Sequence, residues 1–358
     1  MLAEDLARDL SDARARTERI TAGFEGERLL GPKLGIVNPP LWEIGHLGWF
    51  QERWCLRLRP DGTLRQSLLP GADALYDSSS VAHDIRWDLP LPDLRATRAY
   101  LANVLERVAE RILKEPGNEA LAYFVRLATF HEDMHCEAFH YSCQTLGYPD
   151  PLGAESADDG FDGADLEFPA QDFLLGALRT EKAFVFDNEK WAHEIRLKSF
   201  SISRNPVSNA QYLRYVEAGG KSPRYWKKQD GAWLERRFDH WRPLDPASPV
   251  RHVDWSEAQG WCRWAKRRLP SEAEWERACG EKAFRWGALW EWTASAFEPY
   301  PGFVVDPYRD YSAPWFGTHK VLRGKSFATP LRLVRPTFRN FYLPERGDVF
   351  CGFRTCAL

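Results

Sequence analysis

Four stretches in the first 150 residues place apolar side chains at helical intervals. Leu2, Leu6 and Leu10 recur every fourth position with charges between them, which predicts a helix within the first 25 residues. Pro39 and Pro40 suit a helix start, and a second helix over about 40–58 carries Trp42, His46, Trp49, Phe50 and Arg53 on neighbouring turns of one face. Leu101, Val104, Leu105, Val108 and Ile112 mark a third helix over about 93–114. The fourth spans about 118–146, with Leu121, Phe124, Val125 and Ala128 as its buried stripe, Asn118 as cap and Gly147 as stop. Residues 60–92 hold Pro60, Pro70, Pro90 and Pro92 and predict irregular structure. Four helices with one long connection predict a four-helix bundle over 1–150.

The texture then changes twice. Residues 151–170 combine Pro151, Gly153, Gly160 and Gly163 with Glu155, Asp158, Asp159, Asp162, Asp165 and Glu167, and are expected to form an acidic Gly/Pro linker. Over 171–358 short apolar runs such as Phe173-Leu174-Leu175 and Phe184-Val185-Phe186 alternate with turn residues. Helices are few there: one over Ser256–Lys266, and one opened by a capping box of Ser271 and Glu274. The expected fold class is a two-domain α+β chain whose second domain is rich in irregular structure held by aromatics.

Composition narrows the function. A length of 358 residues allows two cores, and a net charge of −3 points neither to nucleic acid nor to an anionic membrane. No apolar run reaches membrane-spanning length, and the acidic start MLAEDLARDL has no signal-type apolar core. Seven cysteines without paired spacing argue for a reducing compartment, so the expected location is cytoplasmic. Nothing indicates a protein partner. Sixteen tryptophans suggest tight loop packing or a pocket for a cation or ring.

The chemistry centres on Phe130-His131-Glu132-Asp133-Met134-His135. Histidines four apart share one helical face, and here they fall on the inward stripe. Such a pair serves either packing or a metal. His46, inward on a helix expected to face it, is the candidate third ligand. Three neutral imidazoles leave positions open on iron(II), and zinc accepts the same set. His131-Glu132-x-x-His135 also matches the zinc-hydrolase pattern, with Glu132 as base and Glu155 within range as a further ligand. His140 is expected to be structural or to support the ligands. His83, with Arg86, is placed where it can reach the site mouth. No Gly-rich phosphate loop, Gly-x-Ser-x-Gly or Cys-x-x-Cys occurs.

These residues, taken with a series of motifs in the second half, resemble the ergothioneine-pathway sulfoxide synthases. The motifs are Phe186-Asp187-Asn188-Glu189, Val207-Ser208-Asn209, Trp255-Ser256-Glu257-Ala258, Arg268-Leu269-Pro270-Ser271-Glu272-Ala273-Glu274-Trp275-Glu276, Trp290-Glu291-Trp292-Thr293, Val321-Leu322-Arg323-Gly324, Phe338-Arg339-Asn340 and Gly352-Phe353-Arg354. The resemblance implies a DinB-like four-helix bundle joined to a domain like the formylglycine-generating enzyme, with a C-type-lectin-like fold. It implies that His46, His131 and His135 hold Fe(2+), that O2 is co-substrate, and that residues of both domains meet hercynine, the Nα-trimethylated form of histidine. Tyr308 and Tyr311 match a tyrosine-bearing stretch that in the family supplies a catalytic acid, and the resemblance implies that role for Tyr308. Asn340 matches a hercynine contact, while Phe341 and Tyr342 replace the family's usual Trp-Asp. The family's Arg-Gly-x-x-Ser-Arg-Pro grip on γ-glutamylcysteine is missing, and a hydroxyl-rich stretch holding Tyr76, Asp77, Ser79 and His83 stands there, with Arg86 beyond. That departure looks like the selenoneine synthase branch, whose donor is a seleno-sugar; a thiol donor is the alternative.

Overall fold

The helical pattern of the first 150 residues becomes α1 (Ala3–Ile20), α2 (Pro40–Glu52), a short α3 (Ala72–Tyr76), α4 (Leu94–Lys114) and α5 (Glu119–Leu146) in the computed structural model, which describes residues 3–153, 164–180 and 183–358. α1 and α2 each pack against both α4 and α5, which makes the bundle. Local chemistry sets the ends of α5. The Asn118 side chain accepts the Leu121 N–H, and Gly147 closes the helix in the left-handed conformation that glycine adopts without strain. α2 runs on into a π-helical turn at Arg53–Arg57. The stretch 60–92, expected to be irregular throughout, holds α3 because Asp73 accepts from the Trp49 indole and from both terminal nitrogens of Arg57.

α2 is unusual in that all thirteen of its residues are buried. Its polar side chains therefore need partners inside the bundle. Gln51 accepts from Arg14, and Glu52 accepts from Ser67, the Leu68 N–H and Tyr100. Glu43 and His46 find theirs at the site described below. The bundle's unit is Met1–Gly153 together with Pro330–Leu333, and within it Arg332 pairs with Asp133 and Asp12.

The second unit, Ala154–Thr329 with Val334–Leu358, mixes small sheets with short helices. One sheet orders the strands Asp165–Phe168, Phe200–Ser203, Cys356–Ala357 and Arg267–Arg268. Another orders Asn340–Tyr342, Lys320–Gly324, Trp290–Ala296 and Cys351–Gly352. Helices α6 (Asn209–Glu217), α7 (Trp255–Trp264) and α8 (Glu272–Ala278) complete it. The expected capping box opens α8: Ser271 and Glu274 exchange side-chain-to-backbone bonds, and Arg268 anchors the Glu274 carboxylate. Trp275, Phe168, Phe200 and Ile202 lie in its core.

The expected linker needs correction at its end. Asp165–Phe168 is a strand paired with Phe200–Ser203, in which Leu166 and Phe168 pack on the core while Asp165 meets Arg267. The acids masked a period-two pattern that partner pairing makes plain. Residues 154–163, including Glu155, lie outside the described residues. Among the described residues no helix is long and apolar enough to cross a membrane.

Candidate metal centre

α2 and α5 bring His46, His131 and His135 together inside the bundle, with one ligand-type nitrogen of each within 4.8 Å of the others. His46 Nε2 lies 3.3 Å from His131 Nε2. Metal–nitrogen bonds of about 2.0–2.1 Å put neighbouring ligand nitrogens roughly 3 Å apart, so the spacing fits one shared ion. The outer nitrogens fit as well. His46 Nδ1–H donates to the Tyr76 carbonyl at 2.8 Å, and His135 Nδ1–H donates to Glu43 Oε1 at 2.6 Å. Each bond fixes the tautomer that leaves Nε2 with a lone pair, the usual arrangement of ligating histidines.

Aromatic faces hold two of the rings. His131 stacks on Phe50 at 3.6 Å, and His46 stacks on Trp42 at 4.9 Å. Burial holds the His46 pKa down to about 3, with the neighbouring His135 adding to it, and burial likewise holds His131 well below the ordinary range. Both are neutral at physiological pH, as metal ligation requires.

Glu132 does not face this cluster. Its carboxylate takes two bonds from Arg14 and one from Thr17, all buried. A base of the zinc-hydrolase type must reach a metal-bound water, so the structure overturns that reading. His140 is outside the cluster and donates Nδ1–H to the Cys136 carbonyl.

The other expected residues fall in two places. In the bundle unit, the Tyr76 side chain is fully buried against Gly45, and its carbonyl accepts from His46. Asp77 accepts the Ser79 N–H and stands 3.9 Å from Arg53, and Ser79 is exposed. His83 Nε2–H donates to the Val37 carbonyl. Arg86 is only 8% exposed: it bonds Asn38 and the Val81 carbonyl and lies 3.9 Å over the Trp42 ring, which it supports.

In the second unit, Tyr311 stacks on Phe186 at 4.0 Å, with Tyr308 at 6.2 Å and the Phe341 edge at 5.8 Å. Burial, then the Glu189 carboxylate, pushes the Tyr311 phenol well up, so it stays protonated. Asn340 Oδ1 accepts the Phe341 N–H, Phe341 stacks on Phe297, and the Arg346 guanidinium covers Tyr342.

Sequence reasoning missed Glu43. A signal was present: it is a lone acid among Leu41, Trp42 and Ile44, one turn before His46. Asp73 was missed too, and nothing local distinguishes it.

Residues 9–139 match the DinB superfamily, and residues 168–288 and 285–357 match the sulfatase-modifying factor enzyme 1-like domain. The chain thus joins a DinB-type bundle, carrying a three-histidine centre, to a sulfatase-modifying-factor domain. The hercynine oxygenase of Mycolicibacterium smegmatis is 30% identical over 98% of this chain and 98% of its own. That of Mycobacterium tuberculosis is 29% identical with the same coverage. Ergothioneine biosynthesis protein 1 of Schizosaccharomyces pombe is 30% identical over 48% of this chain and 27% of its own. The protein belongs to the hercynine oxygenase family and is an oxidising enzyme.

Proposed function

We propose that the protein is an O2-dependent, mononuclear non-haem iron(II) enzyme that joins a chalcogen donor to the imidazole ring carbon of hercynine. The observation that carries this reading is the convergence of His46, His131 and His135, with two outer Nδ1–H groups already committed to oxygen acceptors. Iron(II) held by these nitrogens would activate O2 and take the donor's sulfur or selenium at the positions three ligands leave open. The chain does the rest. The Tyr76 carbonyl and Glu43 orient two rings, while Trp42 and Phe50 shield two of them from water. Asn340, Phe341, Tyr342 and Tyr311 are the proposed hercynine contacts, since aromatic faces suit its quaternary ammonium. Tyr308 Oη is the proposed proton donor.

For the donor we favour a seleno-sugar, which would make the product a C–Se compound. The support is that Arg86 is turned inward while Ser79 is exposed and Asp77 partly so, hydroxyl-compatible groups that suit a sugar, with Arg53 as the cation beside them. A thiol donor, γ-glutamylcysteine or cysteine, is the second reading, favoured by the name of the Schizosaccharomyces pombe relative.

Anaerobic loading with iron(II), then O2 with hercynine and each donor in parallel, tests both by mass spectrometry. A selenium-bearing hercynine product only with seleno-glucose is the expected result. A sulfur product with a thiol, and none with seleno-glucose, would move the protein to the second reading. No product with any donor would sink the proposal.

A further inference from the structure

His135 differs from its two companions. His46 and His131 lie flat on aromatic faces, whereas the ring contacts of His135 are the other two histidines themselves. Its side chain is also the more open, at 18% exposure. What orients it is one bond, the 2.6 Å contact from Nδ1–H to Glu43 Oε1. That bond crosses from α5 to α2, where Glu43 sits three residues before His46, so one helix supplies a ligand and the acceptor that aims another.

Glu43 is itself only 2% exposed. A carboxylate is costly to bury unless it is paired and hydrogen-bonded. Its hydrogen bond is to this ring, and a positive charge within its electrostatic reach is Arg86, on Trp42. Three neutral imidazoles bring no negative charge to a dication, and the carboxylate one bond behind His135 brings it.

We propose that Glu43 is the positioning residue of this centre: it sets the tautomer and ring plane of His135 and, through the hydrogen bond, makes His135 the stronger electron donor. The proposal rests on the metal-centre reading above. It is tested on the full-length apo protein with Co(II), followed by its d–d absorption, in wild type, Glu43→Gln and Glu43→Ala. Glu43→Ala is expected to bind Co(II) about 10- to 100-fold more weakly. Glu43→Gln, which keeps the size and an acceptor oxygen but loses the charge, is expected to fall between with a shifted spectrum. The midpoint potential of bound iron is expected to rise in both, as negative charge is lost.

Circular dichroism of the apo proteins checks folding, and the near-isosteric Glu43→Gln keeps the test decisive if Glu43→Ala does not fold. Wild-type affinity, spectrum and potential in Glu43→Gln would overturn the proposal. Co(II) uptake needs neither hercynine nor donor, so this test reads the centre apart from the reaction. A wild-type protein that takes up no Co(II) would overturn both readings.

Discussion

At Gly45 the backbone of α2 lies close against Tyr76 of α3. A Cβ there would lie 2.3–2.5 Å from the phenol end of Tyr76. Relieving such overpacking costs about 1–3 kcal/mol, and here the displaced residue is the one whose carbonyl holds His46. Gly45→Ala is expected to lose about that much stability in urea and to weaken Co(II) binding, both read on one preparation. The Arg14–Glu132 pair is the second residue-scale case. Both side chains are buried, and removing one partner strands the other charge, at about 3–5 kcal/mol. Arg14→Met should show that loss in urea unfolding. Glu132→Gln should keep full Co(II) affinity, because Glu132 faces Arg14 and not the histidines; a collapse of metal binding in that variant would contradict the placement.

At the scale of elements, α3 depends on one carboxylate. Hydrogen bonding to Arg57, helped by the Trp49 indole, draws the Asp73 pKa from its ordinary 3.8 to about 2. A depressed folded-state pKa contributes stability that is present above the ordinary value and lost as pH falls through the folded one. The wild-type unfolding midpoint should therefore decline between about pH 4 and pH 2 more steeply than that of Asp73→Asn, which starts lower at neutral pH. Parallel acid titrations followed by circular dichroism would show equal slopes if Asp73 did not anchor α3. The same element explains why the 60–92 stretch reads as irregular in sequence: α3 is five residues long and is held by partners outside it.

For the whole molecule, the seven cysteines are unpaired, and six of them are buried. Burial pushes even the partly exposed Cys279 thiol up to about 12, and its Sγ–H donates to the Glu276 carbonyl. Thiolate is the reactive form, so native protein should react slowly with a disulfide reagent at neutral pH and yield all seven thiols only after unfolding. A fast-reacting thiol in the folded protein would show that one of these sites opens.

What the sequence determined by itself is what local forces decide. Helix periodicity, the Asn118 and Gly147 ends of α5 and the Ser271–Glu274 box all arise within a few residues of chain. The inward face shared by His131 and His135 is a property of helix geometry alone. The tertiary structure decided where each polar group points. Glu132 turns to Arg14, 118 residues away, and Glu43 meets His135 across 92. Asp165–Phe168 becomes a strand only beside Phe200–Ser203. A spacing of histidines shows which face they share, but which acid turns towards them depends on partners that only folding brings within reach.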